Sequence, residues 1–157
     1  MVRLADLPEW ERQHLLEKGR EAPRFPDHPW VRGLPLHKRR LAIVTTSGLH
    51  RRRDRPFDFV PGTEYRVIPG DTRADELVMS HISVNFDRSG FQQDLNVVFP
   101  IDRLKELAQD GVISSVAAFH YSFMGAAWPP TRFEAKAREI AGLLKKDRVD
   151  AVLLSPV

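Results

Sequence analysis

The second half of the chain alternates strand-like and helix-like patterns, and this alternation constrains the fold more than any other feature. The apolar run "VISSVAAFHYSF" lies between the helical stretches "FPIDRLKELAQDG" and "TRFEAKAREIAGLLKKD", and "VDAVLLSPV" follows the second helix. Upstream, "LAIVTTSGLH" begins with a β-branched run typical of buried parallel strands. Strands that alternate with helices form right-handed β-α-β crossovers. The sequence therefore predicts a three-layer α/β fold with a mostly parallel sheet, either Rossmann-like or flavodoxin-like.

The two helical stretches carry signals at their ends. Pro100 stands at the start of the first, Asp102 lies in its first turn, and Gly111 is the expected stop. In the second, Thr131 and Glu134 have the spacing of a capping box, in which each side chain caps the other's backbone N–H. The predicted apolar stripe of this helix consists of Phe133, Ala137, Ile140, Ala141 and Leu144.

Residues 1–40 differ in pattern from residues 41–157, so we expect an N-terminal helix and an extended arm ahead of one α/β domain. Asp6 is the expected N-cap of that helix, with Pro8 just inside it. Prolines at positions 23, 26, 29 and 35 argue against regular structure in the arm. Within the domain, further short strands are expected in "EYRVIPGD" and from Leu77 to Val84.

The closing run is predicted to be a buried strand centred on Val152, Leu153 and Leu154, after which the sequence stops at Val157. Ligands of parallel sheets bind beyond the carboxyl ends of the strands. We therefore expect this strand to direct its C-terminal end into the active-site crevice.

A dense group of polar residues precedes the first of these two helices: His81, Asn85, Asp87, Gln92, Gln93, Asp94 and Asn96. In a catalytic interpretation, Asp87 or Asp94 orients His81 as an acid/base pair, with the carboxylate fixing the imidazole tautomer. A second interpretation is the metal site of a hydrolase, built from His81, His120 and one or two aspartates. A third is loop architecture, in which the Asp and Asn side chains cap local backbone N–H groups.

The "TTSG" turn after the first strand of the domain is a second candidate for ligand contact. Thr46, Ser47 and Gly48 can present hydroxyls and backbone N–H groups to an anion. No phosphate-loop or dinucleotide-binding motif accompanies them. The alternative is a turn that needs Gly48 for its backbone angles.

Composition limits the function classes. The chain has no cysteine, which excludes disulfides, thiolate metal sites and cysteine nucleophiles within these residues. No apolar run approaches the roughly 18 residues of a membrane span, and no signal-peptide pattern opens the chain. We therefore expect a cytoplasmic protein without a membrane partner.

The net charge of +3 is concentrated in a basic segment between His37 and Arg55. This segment can support a non-catalytic binding module that meets phosphates. No helix-turn-helix, RNA-recognition or zinc-finger pattern accompanies it, which disfavours nucleic acid as the partner. A solvated, arginine-rich loop is the simpler interpretation.

Three segments together resemble a known family. "AIVTTSG" (42–48), "DLNVVFPIDRLKEL" (94–107) and "GVISSVAAFHYSFMG" (111–125) are similar to the selenoprotein B family of glycine, sarcosine and betaine reductases. The selenoprotein subunit of D-proline reductase belongs to the same family. The similarity extends over roughly residues 41–157, and the first forty residues add little to it.

The resemblance implies an oxidoreductase that cleaves a small amine substrate reductively at a selenocysteine or cysteine. It further implies a thioredoxin-like or thiol electron donor and, in classical members, a pyruvoyl group on a partner subunit; a homo-oligomer is also compatible. His81 and Asp94 then become supporting catalytic residues, while Thr46, Ser47, Gly48, Asp87 and Asn96 become substrate-binding candidates.

The resemblance also bears on the end of the sequence. In the family, a strand similar to "VDAVLLSPV" leads directly into the redox residue. We expect the present chain to stop before that residue, as gene calling would read a selenocysteine codon as a stop, and to be inactive alone. The chain is shorter than classical members, so its substrate can differ from theirs.

Overall fold

A computed structural model of the chain places one strand, β1, at the centre of the sheet. The structure describes residues 3–26, 31–58, 60, 62–83 and 86–157. The strands are β1 (Arg40–Thr45), β2 (Leu49–Arg51), β3 (Tyr65–Pro69), β4 (Leu77–Met79), β5 (Ser115–Val116), β6 (Phe119–Phe123) and β7 (Ala151–Ser155). The helices are α1 (Glu9–Glu21), α2 (Ser89–Gln93), α3 (Ile101–Gln109) and α4 (Glu134–Lys146). Within the described ranges, no helix is both long and apolar enough to cross a membrane.

The main sheet is mostly parallel, as predicted. β1 pairs in parallel with β7 along one side, and with β5 and then β6 along the other. β3 runs antiparallel against β6 at the edge of the sheet, and β2 and β4 form a separate two-stranded antiparallel sheet. The prediction of a mixed α/β fold with a mostly parallel sheet is confirmed.

Helices cover both faces of this sheet, and successive side chains of β1 point to opposite faces. Ile43 belongs to a buried cluster that includes Ile101 and Leu104 of α3. Val44 packs instead against a second cluster that contains Ile140 of α4. Each fully buried aliphatic side chain contributes roughly 1.5–3 kcal/mol to the stability of such a core. The three layers are thus α3, the sheet and α4.

The predicted helix signals are right for α3 and partly wrong for α4. Pro100 directly precedes α3, and Gly111, with φ +72°, follows it. The Thr131 capping box does not form, because residues Pro130–Phe133 adopt a 3₁₀ turn and α4 begins only at Glu134. In the predicted stripe, Phe133, Ile140 and Leu144 pack inward, whereas Ala137 and Ala141 are exposed.

The N-terminal helix begins later than predicted. Asp6 lies in a 3₁₀ turn, where its carboxylate accepts a hydrogen bond from the Arg3 N–H at 3.0 Å, and Pro8 is the N-cap of α1. The helix is largely exposed; its Lys18 ammonium lies 4.8 Å from the centre of the Trp128 ring. Residues 31–35 of the arm are irregular, and Pro29 lies outside the described residues.

Two predicted strands are interrupted. The strand expected from Leu77 to Val84 ends at Met79, although the Ser80 N–H still donates to the Gly48 carbonyl; Val84 lies outside the described residues. The "VISSVAAFHYSF" strand breaks into β5 and β6, where the Ala118 N–H donates to a carboxylate oxygen of Asp147 at 2.8 Å.

The closing strand forms as predicted, but its predicted burial is wrong. Val152, Leu153 and Leu154 of β7 are 38%, 38% and 70% exposed. Among the described residues, β7 pairs with β1 alone and therefore forms an edge of the sheet. The sequence pattern is that of an interior strand, whereas the strand in this chain has one open side.

Candidate functional site

The carboxyl ends of β1, β6 and β7 meet at one edge of the sheet, held together by backbone hydrogen bonds. The Gly48 N–H donates to the Phe123 carbonyl at 2.8 Å, and the Gly125 N–H donates to the Thr46 carbonyl at 2.9 Å. The Thr46 N–H donates to the Ser155 carbonyl at 3.2 Å. This is the edge at which parallel α/β sheets bind their ligands.

Gly48 brings two of the predicted site segments together. Its φ of +66° is a conformation that side chains other than glycine rarely adopt, so the turn interpretation of this glycine holds. A Cβ on Gly48 would lie only 3.0 Å from the His81 backbone nitrogen. The absence of that Cβ allows the loop that carries His81 to lie directly against the end of β1.

His81 is buried and electrically neutral. Its Nδ1 accepts a hydrogen bond from the Ser83 N–H at 3.2 Å, which assigns the ring proton to Nε2. Nε2 has no hydrogen-bond partner among the described residues. Burial, reinforced by the nearby positive charge of Arg88, lowers the pKa of His81. The ring is thus a neutral N–H donor, with Phe86 packed edge-on at 5.0 Å.

The expected carboxylate partner of His81 is replaced by a backbone amide. Asp87 accepts a hydrogen bond from the Ser89 N–H at 2.8 Å, and Asp94 accepts one from the Asn96 N–H at 2.8 Å. These backbone hydrogen bonds lower the pKa of both carboxyl groups.

Asn96 likewise has a local partner, because its side-chain oxygen accepts a hydrogen bond from the Asp102 N–H at 3.0 Å in the first turn of α3. For Asp87, Asp94 and Asn96, these are the bonds that the loop-architecture interpretation predicts. A role for the three in ligand binding stays a prediction.

Three hydroxyls below the strand ends were not predicted as a group. The Thr45 hydroxyl donates to the Val98 carbonyl at 3.0 Å and lies 2.9 Å from the Ser47 hydroxyl. The Ser155 hydroxyl donates to the same carbonyl at 2.9 Å. They attach the loop before α3 to both β1 and β7, and they place the Ser47 side chain inside the protein.

A signal for this hydroxyl layer was present in the sequence. Thr45 stands in register with Ser122 of β6 and with Ser155 of β7, so three adjacent strands each carry a hydroxyl residue at the same level. Side chains in register on parallel strands project from the same face. Ser122 is fully buried, and its hydroxyl has no partner among the described residues.

Thr46 is the predicted site residue that faces the end of β7. Its hydroxyl oxygen accepts a hydrogen bond from the Val157 N–H at 3.0 Å. The side chain is half-buried and lies beside Gly125, where a Cβ would come within 2.9 Å of the Thr46 carbonyl oxygen. The residues that follow β7 are therefore held against the end of β1.

Another buried histidine, His120, lies within the sheet. The break between β5 and β6 leaves the Ile43 N–H without a strand partner, and His120 Nδ1 accepts its hydrogen bond at 2.9 Å. Burial lowers the pKa of His120 to about 4. The negative charge of Asp147 opposes this shift, and the positive charges of Lys105 and Arg40 add to it.

The metal-site interpretation requires His81, His120 and aspartates to converge. Over the ranges that the structure describes, no group of three or more His, Cys, Asp or Glu side chains could hold a metal ion. The structure does not assemble the ligand set that the hydrolase alternative needs.

Many charges of the basic segment are already paired. Arg51 forms an ion pair with Asp54 at 3.0 Å, and Arg55 forms one with Asp58 at 3.0 Å. Arg52 donates to the Asp75 carbonyl at 2.8 Å. These contacts are those of an arginine-rich surface loop that supports its own fold.

A cavity of about 850 Å³ lies at the opposite edge of the sheet, where β6 begins. Its walls include Gly70, Lys105 and Phe119, and none of the predicted site residues lines it. Cavity size and the usual position of α/β sites therefore point to different edges. We favour the carboxyl edge for the candidate site, because the buried donor of His81 lies there.

The fold and this edge define an α/β protein with its candidate site beyond the carboxyl ends of parallel strands. A family model described as "Glycine/sarcosine/betaine reductase selenoprotein B" matches residues 35–157. The chain belongs to this family, and the resemblance drawn from its sequence is confirmed.

Individual relatives are named as subunits of reductases. The chain is 37% identical over 116 residues to the D-proline reductase subunit gamma of Acetoanaerobium sticklandii, covering 73% of this chain and 47% of that protein. It is 30% identical over 139 residues to the glycine reductase complex component B subunit gamma of Symbiobacterium thermophilum, covering 84% of this chain and 31% of that protein. It thus spans less than half the length of these relatives. No solved structure matches the chain.

Proposed function

We propose that this chain supplies the fold and part of the substrate pocket of a selenoprotein B-type reductase acting on a small amine. The redox residue, a selenocysteine or cysteine, would lie outside these 157 residues. The family assignment, the reductase names of the relatives and the lack of cysteine support this proposal. The observation that carries it is the contact between Gly48 and the His81 loop, which brings a buried N–H donor to the end of β1.

In the proposed reaction, a C–N bond of the substrate breaks and the amine leaves with protons from the site. The two electrons come from a selenol or thiol pair, which becomes a disulfide-type product that a thioredoxin-like or thiol donor reduces again. A pyruvoyl group on a partner subunit would activate the amine. The partner is proposed because relatives are named as parts of reductase complexes.

The residues of this chain would hold and polarise the substrate. Neutral His81 would donate a hydrogen bond from Nε2 to a negative or developing negative charge on the substrate, since no acceptor among the described residues occupies that donor. A preorganised donor in a site shielded from water stabilises such charge more than water does. Thr46 and the backbone of Gly48 would complete the wall beside the end of β7.

The test compares single variants in the assembled reductase that contains this chain. His81→Asn keeps an acceptor near the Nδ1 position for the Ser83 N–H but removes the Nε2 donor, so kcat/KM should fall by roughly 100-fold. Asp94→Asn keeps the oxygen that caps Asn96 and removes only the charge, so any loss of turnover reports a role beyond capping. Asp110→Asn, at the far end of α3, is the matched control and should leave turnover unchanged.

Thermal unfolding of each variant separates site effects from folding effects. Unchanged turnover in both His81→Asn and Asp94→Asn, with both proteins folded, would remove these residues from the site. The location of the redox residue has its own test: the nucleotide sequence beyond the Val157 codon should show UGA followed by an open frame. Substantial thiol-dependent reductase activity of the 157-residue chain alone would contradict the proposal.

A further inference from the structure

Ser80 and His50 form a hydrogen-bonded pair that the proposed function does not use. Both belong to the small antiparallel sheet of β2 and β4, in which His50 stands opposite Val78. Ser80 follows Val78 by two positions, and its N–H continues the pairing by donating to the Gly48 carbonyl at 2.9 Å. Alternate residues of a strand project from the same face. The Ser80 hydroxyl therefore meets the His50 ring, and its oxygen lies 2.7 Å from Nε2.

The partner of His50 Nδ1 decides the direction of this hydrogen bond. Nδ1 lies 2.8 Å from the Arg51 carbonyl, which can only accept, so the proton of the neutral ring is assigned to Nδ1. Nε2 is then an acceptor, and the Ser80 hydroxyl is the donor. The Arg51 carbonyl is itself fixed in a turn, because it also accepts a hydrogen bond from the Asp54 N–H at 3.0 Å.

The surroundings hold the imidazole of this pair in place. The His50 side chain is buried, and the Phe57 ring packs edge-on against it with the ring centroids 6.3 Å apart. Ser80 is half-buried, so the residue that carries the hydroxyl keeps contact with solvent. Packing and a second hydrogen bond are what lock a functional side chain in one rotamer. The arrangement is thus a partly accessible hydroxyl bonded to a fixed base.

We propose that Ser80 is a nucleophile that accepts an acyl group from an activated ester or thioester, with His50 as its general base. In this step, a bond forms between Ser80 Oγ and the acyl carbon, and the bond from that carbon to the leaving oxygen or sulfur breaks. The hydroxyl proton moves to His50 Nε2 and from there to the leaving group, so no oxidant or reductant is needed. A nucleophile bonded to a base that a third group orients is the recurrent arrangement for this chemistry.

The simpler role of the pair is to tie β2 to β4. Each strand has only 3 residues, and a short two-stranded sheet gains stability from side-chain contacts between its strands. Such a tie does not make the hydroxyl reactive, so the reactivity of Ser80 distinguishes the two roles. Acylation of Ser80 requires no redox residue, and the inference therefore does not depend on the proposed function.

Ser155 provides a matched hydroxyl within the same protein. It is half-buried like Ser80, and its hydroxyl also donates a hydrogen bond, in this case to the Val98 carbonyl at 2.9 Å. An imidazole nitrogen can take up the proton of an attacking hydroxyl, whereas a carbonyl oxygen does not serve as such a base. A difference in reactivity between the two serines therefore reports the base rather than burial.

The test treats the native protein that contains these residues with p-nitrophenyl acetate and quantifies the acetylated peptides over time by mass spectrometry. Ser80 should be acetylated roughly 100-fold faster than Ser155, which is the size of effect expected from general-base assistance. His50→Asn keeps an N–H near the Nδ1 position for the Arg51 carbonyl and removes the acceptor at Nε2. It should lower the rate at Ser80 by roughly 100-fold and leave the rate at Ser155 unchanged.

Thermal unfolding shows whether the His50→Asn protein is folded, and the comparison of Ser80 with Ser155 in the unaltered protein needs no variant. Equal acetylation of the two serines, or the absence of an adduct on Ser80, would overturn the proposal. A folded His50→Asn protein in which Ser80 is acetylated at the original rate would also overturn it, and the pair would then be only a structural tie between β2 and β4.

Discussion

Two of the buried histidines, His81 and His120, share one hydrogen-bonding pattern and differ in their surroundings. In both His81 and His120, Nδ1 accepts a hydrogen bond from a backbone N–H, and Nε2 has no partner among the described residues. Each also lies against a glycine: a Cβ on Gly48 would approach the His81 backbone at 3.0 Å, and one on Gly70 would approach His120 Nε2 at 3.4 Å.

The two rings differ in the part of the fold that surrounds them. His120 accepts the hydrogen bond of the Ile43 N–H of β1 at the break between β5 and β6. The Phe99 ring packs against His120 in the core at 5.4 Å. His81 belongs to a loop at the strand ends, where the Ser83 N–H donates to its Nδ1 and Phe86 packs against the ring. An unpartnered imidazole nitrogen therefore does not identify a site by itself; its position at the carboxyl edge is what makes His81 a candidate.

The largest expected effect separates the two rings by the pH dependence of stability. The folded-state pKa of His120 is lowered from 6.5 to about 4. Between those values the unfolded chain binds a proton that the folded chain does not, so stability falls as pH drops from 6.5 towards 4. The full loss is about 3 kcal/mol. His120→Asn, which retains an acceptor for the Ile43 N–H, should remove most of this slope in chemical denaturation measured at pH 7 and pH 4.5.

The exposed His14 provides the control for this experiment. It lies on α1, and His14→Asn reports the effect of the same substitution at an exposed position. A His120→Asn chain that lost stability between pH 7 and pH 4.5 as steeply as the original would show that His120 is not the group responsible.

The sequence was sufficient for elements whose signals are local. The apolar run of β1 and the punctuation of α3 by Pro100 and Gly111 give those elements to within a residue or two, because periodicity and end signals act over short distances. The exposure of Leu154 could not be predicted from the sequence. An apolar pattern indicates that a strand is suited to burial, but it does not show whether another element covers the strand. Whether a neighbour covers that strand depends on the rest of the assembly.

The site was harder to predict, because it depends on which backbone groups remain unpaired after folding. Asp94 was a reasonable partner for His81 by residue type. In the structure, however, the Asp94 carboxylate accepts a hydrogen bond from the Asn96 N–H, and His81 Nδ1 accepts one from the Ser83 N–H. The position of Gly48 against His81 follows from a φ of +66° and the hydrogen bond from Ser80 to Gly48, and no sequence pattern predicts that contact.

A smaller effect is expected from adding a methyl group at the glycine that lies against each histidine. Gly48→Ala combines an unfavourable positive φ with a close contact, and Gly70→Ala brings a Cβ within 2.9 Å of the Ala117 carbonyl oxygen. Each change should cost about 1–3 kcal/mol in the free energy of unfolding. Only Gly48→Ala should also lower turnover of the assembled reductase, because only it displaces the His81 loop. Equal losses of turnover in the two variants, at matched stability, would contradict this distinction.

The smallest expected effect concerns the charge that acts on one ring and not on the other. Arg88 donates a hydrogen bond to the His81 carbonyl, and its positive charge helps to lower the pKa of His81. Arg88→Gln removes the charge but retains an N–H donor for that carbonyl, so the pKa of His81 should rise in an NMR titration of the imidazole signals. The pKa of His120 should not change, because Arg88 is not among the charges that act on it. If the pKa values of both histidines changed together, the change would reflect a general loosening of the fold. The distinction between a structural histidine and a site histidine would then be wrong.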